Sequence, residues 1–91
     1  EQAFRLEIYF ALPMSVFAII MDRAGTEKAL LLGSLLIVLI CELLNTAVEV
    51  VVNRIGSEYH ELSGRAKDLG SAAVIVSLLL VILTWALVLI G

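Results

Sequence analysis

The sequence predicts an all-α membrane protein with three transmembrane helices, on the basis of its composition and the lengths of its apolar segments. Of its 91 residues, 62% are hydrophobic and 16% are charged, and the mean hydropathy is +1.08. Soluble domains are about 45–50% apolar and about 25% charged. Because one bilayer crossing needs about 20 apolar residues, the chain has room for three crossings with short connections and for no separate soluble domain.

Other classes of protein are excluded by simple features of the sequence. A secreted disulfide scaffold needs several cysteines, and Cys41 is the only one. The net charge of -3 and the lack of a basic stripe argue against a nucleic-acid-binding protein. The first apolar stretch has no basic segment before it, which argues against a signal peptide. Residues 1–91 are therefore predicted to form a single membrane domain.

The first two spans are predicted over residues 6–21 and 29–52. The first stretch is short for a crossing, so its helix is expected to begin closer to the N-terminus, and Pro13 predicts a kink within it. The second stretch is long enough to cross with some tilt. Thr26 is the predicted N-cap of this second helix, with Glu27 in its first turn.

The longest polar segment covers residues 53–70, and the third span follows over residues 71–90 with no charged residue. Gly56 is the expected end of the second helix. Ser63 is the predicted N-cap of a third helix that starts in the polar segment and continues into the bilayer.

The distribution of basic residues predicts the orientation. With three spans, the N-terminus and the 53–70 segment lie on one side, which carries four basic residues against two on the other. The positive-inside rule places the richer side in the cytoplasm and the C-terminus outside. The four residues are Arg5, Arg54, Arg65 and Lys67, and the two are Arg23 and Lys28.

A polar stripe in the second span is the strongest functional signal. Its members lie at spacings of 3, 4 and 4 residues, which places them within about 80° of one another on a helix. A carboxylate inside a bilayer costs at least about 2.5–3.5 kcal/mol unless it is solvated or partnered, so such groups are functional candidates. The alternative is that they only join neighbouring helices, which remains open for Asn45. The stripe consists of Glu42, Asn45, Glu49 and Asn53.

Two further carboxylates, Glu1 and Glu7, belong to the first helix at the same predicted face of the membrane. Together with Glu42 and Glu49 they are expected to converge between the first two helices. Clustered carboxylates repel one another unless a cation binds, and Mg²⁺ prefers carboxylate oxygens while keeping positions for phosphate and water. The alternative for Glu1 is a solvated terminal residue.

The 53–70 segment contributes different chemistry. Glu58, His60 and Glu61 form a compact cluster, and Lys67, a suitable partner for phosphate, is followed by Asp68. No P-loop or dinucleotide-binding motif is present. One cysteine and one histidine do not make a usual zinc site. The alternative is a solvated loop whose charges only enforce topology.

Two segments of the chain resemble the bacterial integral-membrane diacylglycerol kinases. The stretch CELLNTAVEVVVNRIGSEYHELSGRAKDLGSAA, from Cys41 to Ala73, is similar to the family's signature region, and the N-terminal EQAFRLE is similar to its E-x-A-F-R-x-E segment. The resemblance implies a homotrimer of three-helix protomers in the bacterial inner membrane, with active sites between subunits. It also implies Mg²⁺-dependent phosphorylation of diacylglycerol by ATP to give phosphatidic acid.

The resemblance further implies roles for individual residues. Glu42 matches the general base and Asn45 a positioning amide, while Glu1 and Glu49 match metal-binding carboxylates. The implied nucleotide contacts are Glu1, Glu49, Glu58, Tyr59, His60, Lys67 and Asp68. The implied contacts with the lipid substrate are Phe4, Arg5, Glu7, Glu42, Ser71 and Trp85. From its position alone, Trp85 is expected to be an interfacial anchor or a wall against lipid chains.

Alternatives to this function remain at the level of sequence. Family members carry a basic surface helix before the first matching segment, and this chain is expected to lack it. A sister branch phosphorylates undecaprenol, and Glu61 after His60 favours the diacylglycerol branch. Alternatives from other classes are a proton-coupled exporter that uses Glu42 or Glu49, and a non-catalytic subunit whose stripe binds another membrane helix. The exporter leaves the polar 53–70 segment unexplained.

Overall fold

The computed structural model describes residues 2–55 and 61–91, with side chains from Arg5 onward in the first helix, and these residues fold as three helices. They are α1 (Gln2–Ile20), α2 (Gly25–Ile55) and α3 (Glu61–Ile90). The predicted all-α class is confirmed. Helices α2 and α3 are long and apolar enough to cross a membrane, with hydropathies of 2.3 and 3.0 over their most apolar windows.

The helix limits correct two of the predicted caps. Helix α2 already begins at Gly25, and the Lys28 N–H donates to the Ala24 carbonyl at 3.1 Å, so Thr26 lies in the first turn. Ser63 likewise lies inside α3, which is helical from Glu61. Both predictions were wrong because the polar residues that resemble caps belong to the helices themselves. The acidic residue in each first turn is favourable beside the unpaired N–H groups there.

Helix α2 lies between the other two and packs against both. The chain reverses direction at each end of α2, so α1 and α3 run antiparallel to it. A small buried core joins the three helices, nearer the α1–α2 turn than the opposite end of the bundle. It consists of Leu35, Val38 and Val81, with Met14, Leu78 and Trp85 packed against it. Helix α1 remains continuous through Pro13.

Most of the large apolar side chains point away from this core. Leu12, Leu44 and Leu83, one from each helix, are 63%, 62% and 60% exposed. Exposed apolar surface on this scale is not found on soluble monomers and indicates contact with lipid or with other protein chains. The single chain therefore has the surface of a membrane protein.

At the end of the bundle opposite the polar segment, two cations cap helix C-termini. The Arg23 guanidinium donates to the Val88 carbonyl at 2.7 Å and to the Leu89 carbonyl at 3.4 Å, near the end of α3. The Lys28 ammonium donates to the Ile19 carbonyl at 2.8 Å, near the end of α1. Positive charge at a helix C-terminus satisfies unpaired carbonyls and complements the helix dipole. These residues thus tie both outer helices to the α1–α2 turn.

Replacing Arg23 by glutamine should therefore loosen the bundle at this end. Charge-assisted hydrogen bonds contribute about 1.5–3 kcal/mol, and Arg23 also lies 3.5 Å from the Glu27 carboxylate. We expect the free energy of unfolding to fall by about 1–2 kcal/mol, measured by reversible unfolding in mixed detergent micelles. The control is Arg65→Gln, an exposed arginine at the other end. Equal stability of the Arg23 and Arg65 variants would contradict the capping role.

Candidate functional site

The polar stripe of α2 lies along the junction with its two neighbours. Glu42 is buried, at 5% exposure, whereas Asn45 and Glu49 are half-buried and Asn53 is exposed. Glu42 interacts with Glu7 of α1. Helix α3 contacts the stripe on its other side, closer to the end of the bundle where Lys67 and Asn53 lie, which is called the polar end. The stripe therefore runs from the buried α1–α2 contact to the polar end of the α2–α3 contact.

Glu7 and Glu42 form a buried carboxyl pair across α1 and α2. Their side chains interact directly, and Glu7 is only 7% exposed. Among the described residues, the Glu7 Oε1 atom is fully enclosed and has no hydrogen-bond partner. Two carboxylates in direct contact repel each other unless a proton or a cation lies between them. The pair is therefore suited to accepting a proton from a nearby group.

Glu49 lies seven residues beyond Glu42, about 10 Å farther along α2. Over residues 2–55 and 61–91, no three acidic, histidine or cysteine side chains lie close enough together to hold a metal ion. The sequence suggested that Glu49 would lie close to Glu7 and Glu42. The described part of the single chain does not bring these three carboxylates together. Mg²⁺ is commonly held by one or two carboxylates together with phosphate oxygens and water. Glu49 suits that role chemically, and its predicted partner Glu1 lies outside the described residues.

On the other side of the stripe, Asn45 contacts Gly70 of α3. A Cβ atom built on Gly70 would overlap the Asn45 amide oxygen and would lie 3.3 Å from its Cγ atom. The two helices approach this closely because glycine has no side chain. The helical spacing that identified Asn45 gave no sign of its contact with Gly70.

The polar end of the stripe meets the start of α3. The Lys67 ammonium donates to the Asn53 amide oxygen at 3.2 Å, which places a positive charge at the mouth of the α2–α3 junction. The other described candidates at this end, Asp68, Arg5 and Ser71, are exposed. Glu58, Tyr59 and His60 lie outside the described residues, as does the side chain of Phe4.

Trp85 lies far from this polar end. Its indole N–H donates to the Leu31 carbonyl at 3.3 Å, and its ring stacks on Phe17 with centroids 6.4 Å apart. Leu31 precedes Glu42 by 11 residues, about 16 Å along α2. The structure thus places Trp85 where it joins all three helices near the capped end. Its contact with the lipid substrate stays a prediction.

An open apolar groove lies between α2 and α3 on the side of the polar end. It has a volume of about 720 Å³ and is lined by residues that include Val48, Val51, Leu62 and Ala66. A second groove of about 500 Å³ lies between the same helices, farther from the polar end, and Cys41 is part of its wall. Both have the dimensions and chemistry to accept apolar side chains or lipid chains.

The chain is similar to a known protein family over nearly its whole length. The model of the family described as prokaryotic diacylglycerol kinase matches residues 1–89. A relative named diacylglycerol kinase from Escherichia coli (strain K12) is 49% identical over 89 residues, which cover 98% of this chain and 73% of the relative. Proteins of the same name from Haemophilus influenzae and Pseudomonas aeruginosa are 47% and 42% identical, covering 93% and 100% of this chain and 72% and 74% of their own lengths.

Proposed function

Because the chain belongs to the prokaryotic diacylglycerol kinase family, we propose that it transfers the γ-phosphoryl group of ATP to the free hydroxyl of diacylglycerol and forms phosphatidic acid. The observation that carries this proposal is the extent of the family match, which runs over residues 1–89. It therefore includes the Glu7–Glu42 pair, the polar stripe of α2 and the start of α3. Family membership does not favour an undecaprenol kinase, an exporter or an assembly subunit.

In the proposed arrangement, all three helices cross the bacterial inner membrane, with the N-terminus and the 53–70 segment in the cytoplasm. The packing of α1 against α2 supports a first crossing beside the second. We further propose a homotrimer with active sites between subunits. The small core of the protomer and the open grooves between α2 and α3 support it, because both leave apolar surface for neighbouring chains.

Glu42 is the proposed general base. The lipid hydroxyl loses its proton to the Glu42 carboxylate as its oxygen forms a bond to the γ-phosphorus. The bond between that phosphorus and the β,γ-bridging oxygen breaks, and ADP leaves with the bonding electrons. Glu7 lies against Glu42 and limits the orientations of its carboxylate. Burial at 5% exposure keeps bulk water away from the base.

The remaining residues are assigned to binding and positioning. Glu1 and Glu49 are the proposed ligands of Mg²⁺, which when bound neutralises charge on the phosphates. Lys67 is the proposed phosphate contact, and Asp68, Glu58, Tyr59 and His60 are the other proposed nucleotide contacts. Lys67 and Asp68 lie at the polar end of the bundle, which we propose that ATP reaches from water. Phe4, Arg5, Ser71 and Trp85 are the proposed lipid contacts.

Removing the charge of Lys67 should weaken ATP binding. A lysine contact with phosphate is a charge-assisted hydrogen bond, so Lys67→Gln should raise the KM for ATP by about 10- to 100-fold. Lys67→Arg should retain most of the affinity because it keeps the charge. Lys28→Gln is the matched control at the opposite end, where the ammonium is bound to a helix carbonyl. An unchanged KM for ATP in Lys67→Gln would contradict the assignment.

The proposed function is tested in proteoliposomes that contain diacylglycerol. With Mg²⁺ and ATP labelled at the γ-phosphate, we expect label in phosphatidic acid, and we expect its formation to be independent of a pH gradient. A kinase needs nucleotide and no gradient, whereas a proton-coupled exporter needs the gradient and no nucleotide. Solute flux driven by the gradient, with no lipid phosphorylation, would overturn the proposal.

A further inference from the structure

Gly70 of α3 approaches α2 most closely at the side chain of Asn45. A Cβ atom at Gly70 would overlap the Asn45 Oδ1 atom and would lie 3.3 Å from Cγ, but it would lie at an ordinary distance of 3.6 Å from the Asn45 Cα. The space that a larger residue would need is therefore occupied by the Asn45 amide, which is the one close group among the three nearest atoms. A methyl group at position 70 can be accommodated only if this amide moves.

The contact also determines which end of the amide faces α3. The Asn45 Oδ1 atom is fully enclosed and accepts no hydrogen bond from any described N–H or O–H group. One Cα hydrogen of Gly70 points along the direction that a Cβ would take, and so points toward Oδ1. Such Cα–H···O contacts are common between closely packed helices. Since the oxygen is held against α3, the amide N–H groups remain as the end that can donate elsewhere.

Asn45 occupies the part of the stripe between the proposed base, Glu42, and the proposed metal ligand, Glu49. It follows Glu42 by three residues and precedes Glu49 by four. We propose that Gly70 is a positioning residue for phosphoryl transfer, which acts by holding the Asn45 amide in one orientation between the base and the metal ligand. This inference rests on the proposed kinase function. It predicts an effect on kcat, because misplacement of a reacting group by about 1 Å costs up to about 100-fold in rate.

The chain offers a matched control for Gly70→Ala. Gly33 also lies within a helix, α2, but a Cβ atom built there meets nothing within 4 Å. Both substitutions raise intrinsic helix propensity by the same amount. Gly33→Ala is therefore expected to leave kcat unchanged, and any loss confined to Gly70→Ala reports on the contact with Asn45.

The first experiment compares kcat and KM for ATP and diacylglycerol in both variants. We expect Gly70→Ala to lower kcat by about 10- to 100-fold with each KM changed less than about twofold. In an Asn45→Ala background, adding Gly70→Ala should change kcat by less than about twofold, because the group through which it acts is gone. A normal kcat in Gly70→Ala, or an equal loss in the Asn45→Ala background, would overturn the proposal.

The second experiment separates this inference from the kinase function itself. The side-chain amide resonances of ¹⁵N-labelled asparagine should shift at Asn45 in Gly70→Ala and not in Gly33→Ala, whether or not the protein phosphorylates a lipid. If Gly70→Ala fails to assemble, the double variant with Asn45→Ala should restore assembly, because removing the amide makes the space. An unshifted Asn45 resonance, or a double variant that also fails to assemble, would contradict the contact.

Discussion

Replacing Glu42 by glutamine should lower kcat by about 10²- to 10⁴-fold, the range expected for loss of a general base. The glutamine amide has nearly the same shape as the carboxylate and can still hydrogen-bond to Glu7. It cannot accept the proton of the lipid hydroxyl, so binding should persist while transfer stops. The measurement is the initial rate of phosphatidic acid formation, alongside the dissociation constant for ATP.

The matched control is Glu27→Gln, at the opposite end of α2, where the carboxylate pairs with Arg23. This variant should retain near-normal turnover. Normal turnover in Glu42→Gln would exclude Glu42 as the base. A loss of ATP binding equal to the loss of rate would instead indicate that Glu42 belongs to the nucleotide site.

Replacing Glu49 by glutamine should change the requirement for Mg²⁺ rather than remove the base. A neutral amide is a poorer ligand for this cation than a carboxylate. We expect the Mg²⁺ concentration for half-maximal activity to rise by about 10- to 100-fold, the range found when groups supporting a metal site are removed. The measurement is a Mg²⁺ titration at fixed ATP and diacylglycerol.

High Mg²⁺ concentration separates the two glutamate variants. It should recover most of the activity of Glu49→Gln and none of the activity of Glu42→Gln. An unchanged Mg²⁺ requirement in Glu49→Gln, or recovery of both variants to the same extent, would contradict the separate roles of the two carboxylates.

The helices were largely predictable because long apolar runs leave few alternatives. The predicted spans at 29–52 and 71–90 lie within α2 and α3, and both helices extend beyond them. The predictions of N-caps at Thr26 and Ser63 were wrong because a polar residue near the start of a helix can be either the cap or part of the first turn. For α2, the backbone hydrogen bond from the Lys28 N–H to the Ala24 carbonyl shows that Thr26 belongs to the first turn.

The site was predictable only where it depends on one helix. Spacing alone placed Glu42 and Asn45 on one face of α2, because helical periodicity is known in advance. The contact of Asn45 with Gly70 depends on the register between α2 and α3, which no local pattern encodes. The same holds for Arg23, whose charge indicated topology but whose bond to the Val88 carbonyl requires the chain to return to the same end of the bundle.

Competition between two lipid alcohols tests the proposed function most directly. Wild-type protein is incorporated into vesicles with equal mole fractions of diacylglycerol and undecaprenol, and Mg²⁺ and γ-labelled ATP are added. We predict that the label enters phosphatidic acid and that Glu42→Gln produces almost none. Label that accumulates mainly in undecaprenyl phosphate, or in neither lipid, would contradict a diacylglycerol kinase that uses Glu42 as its base.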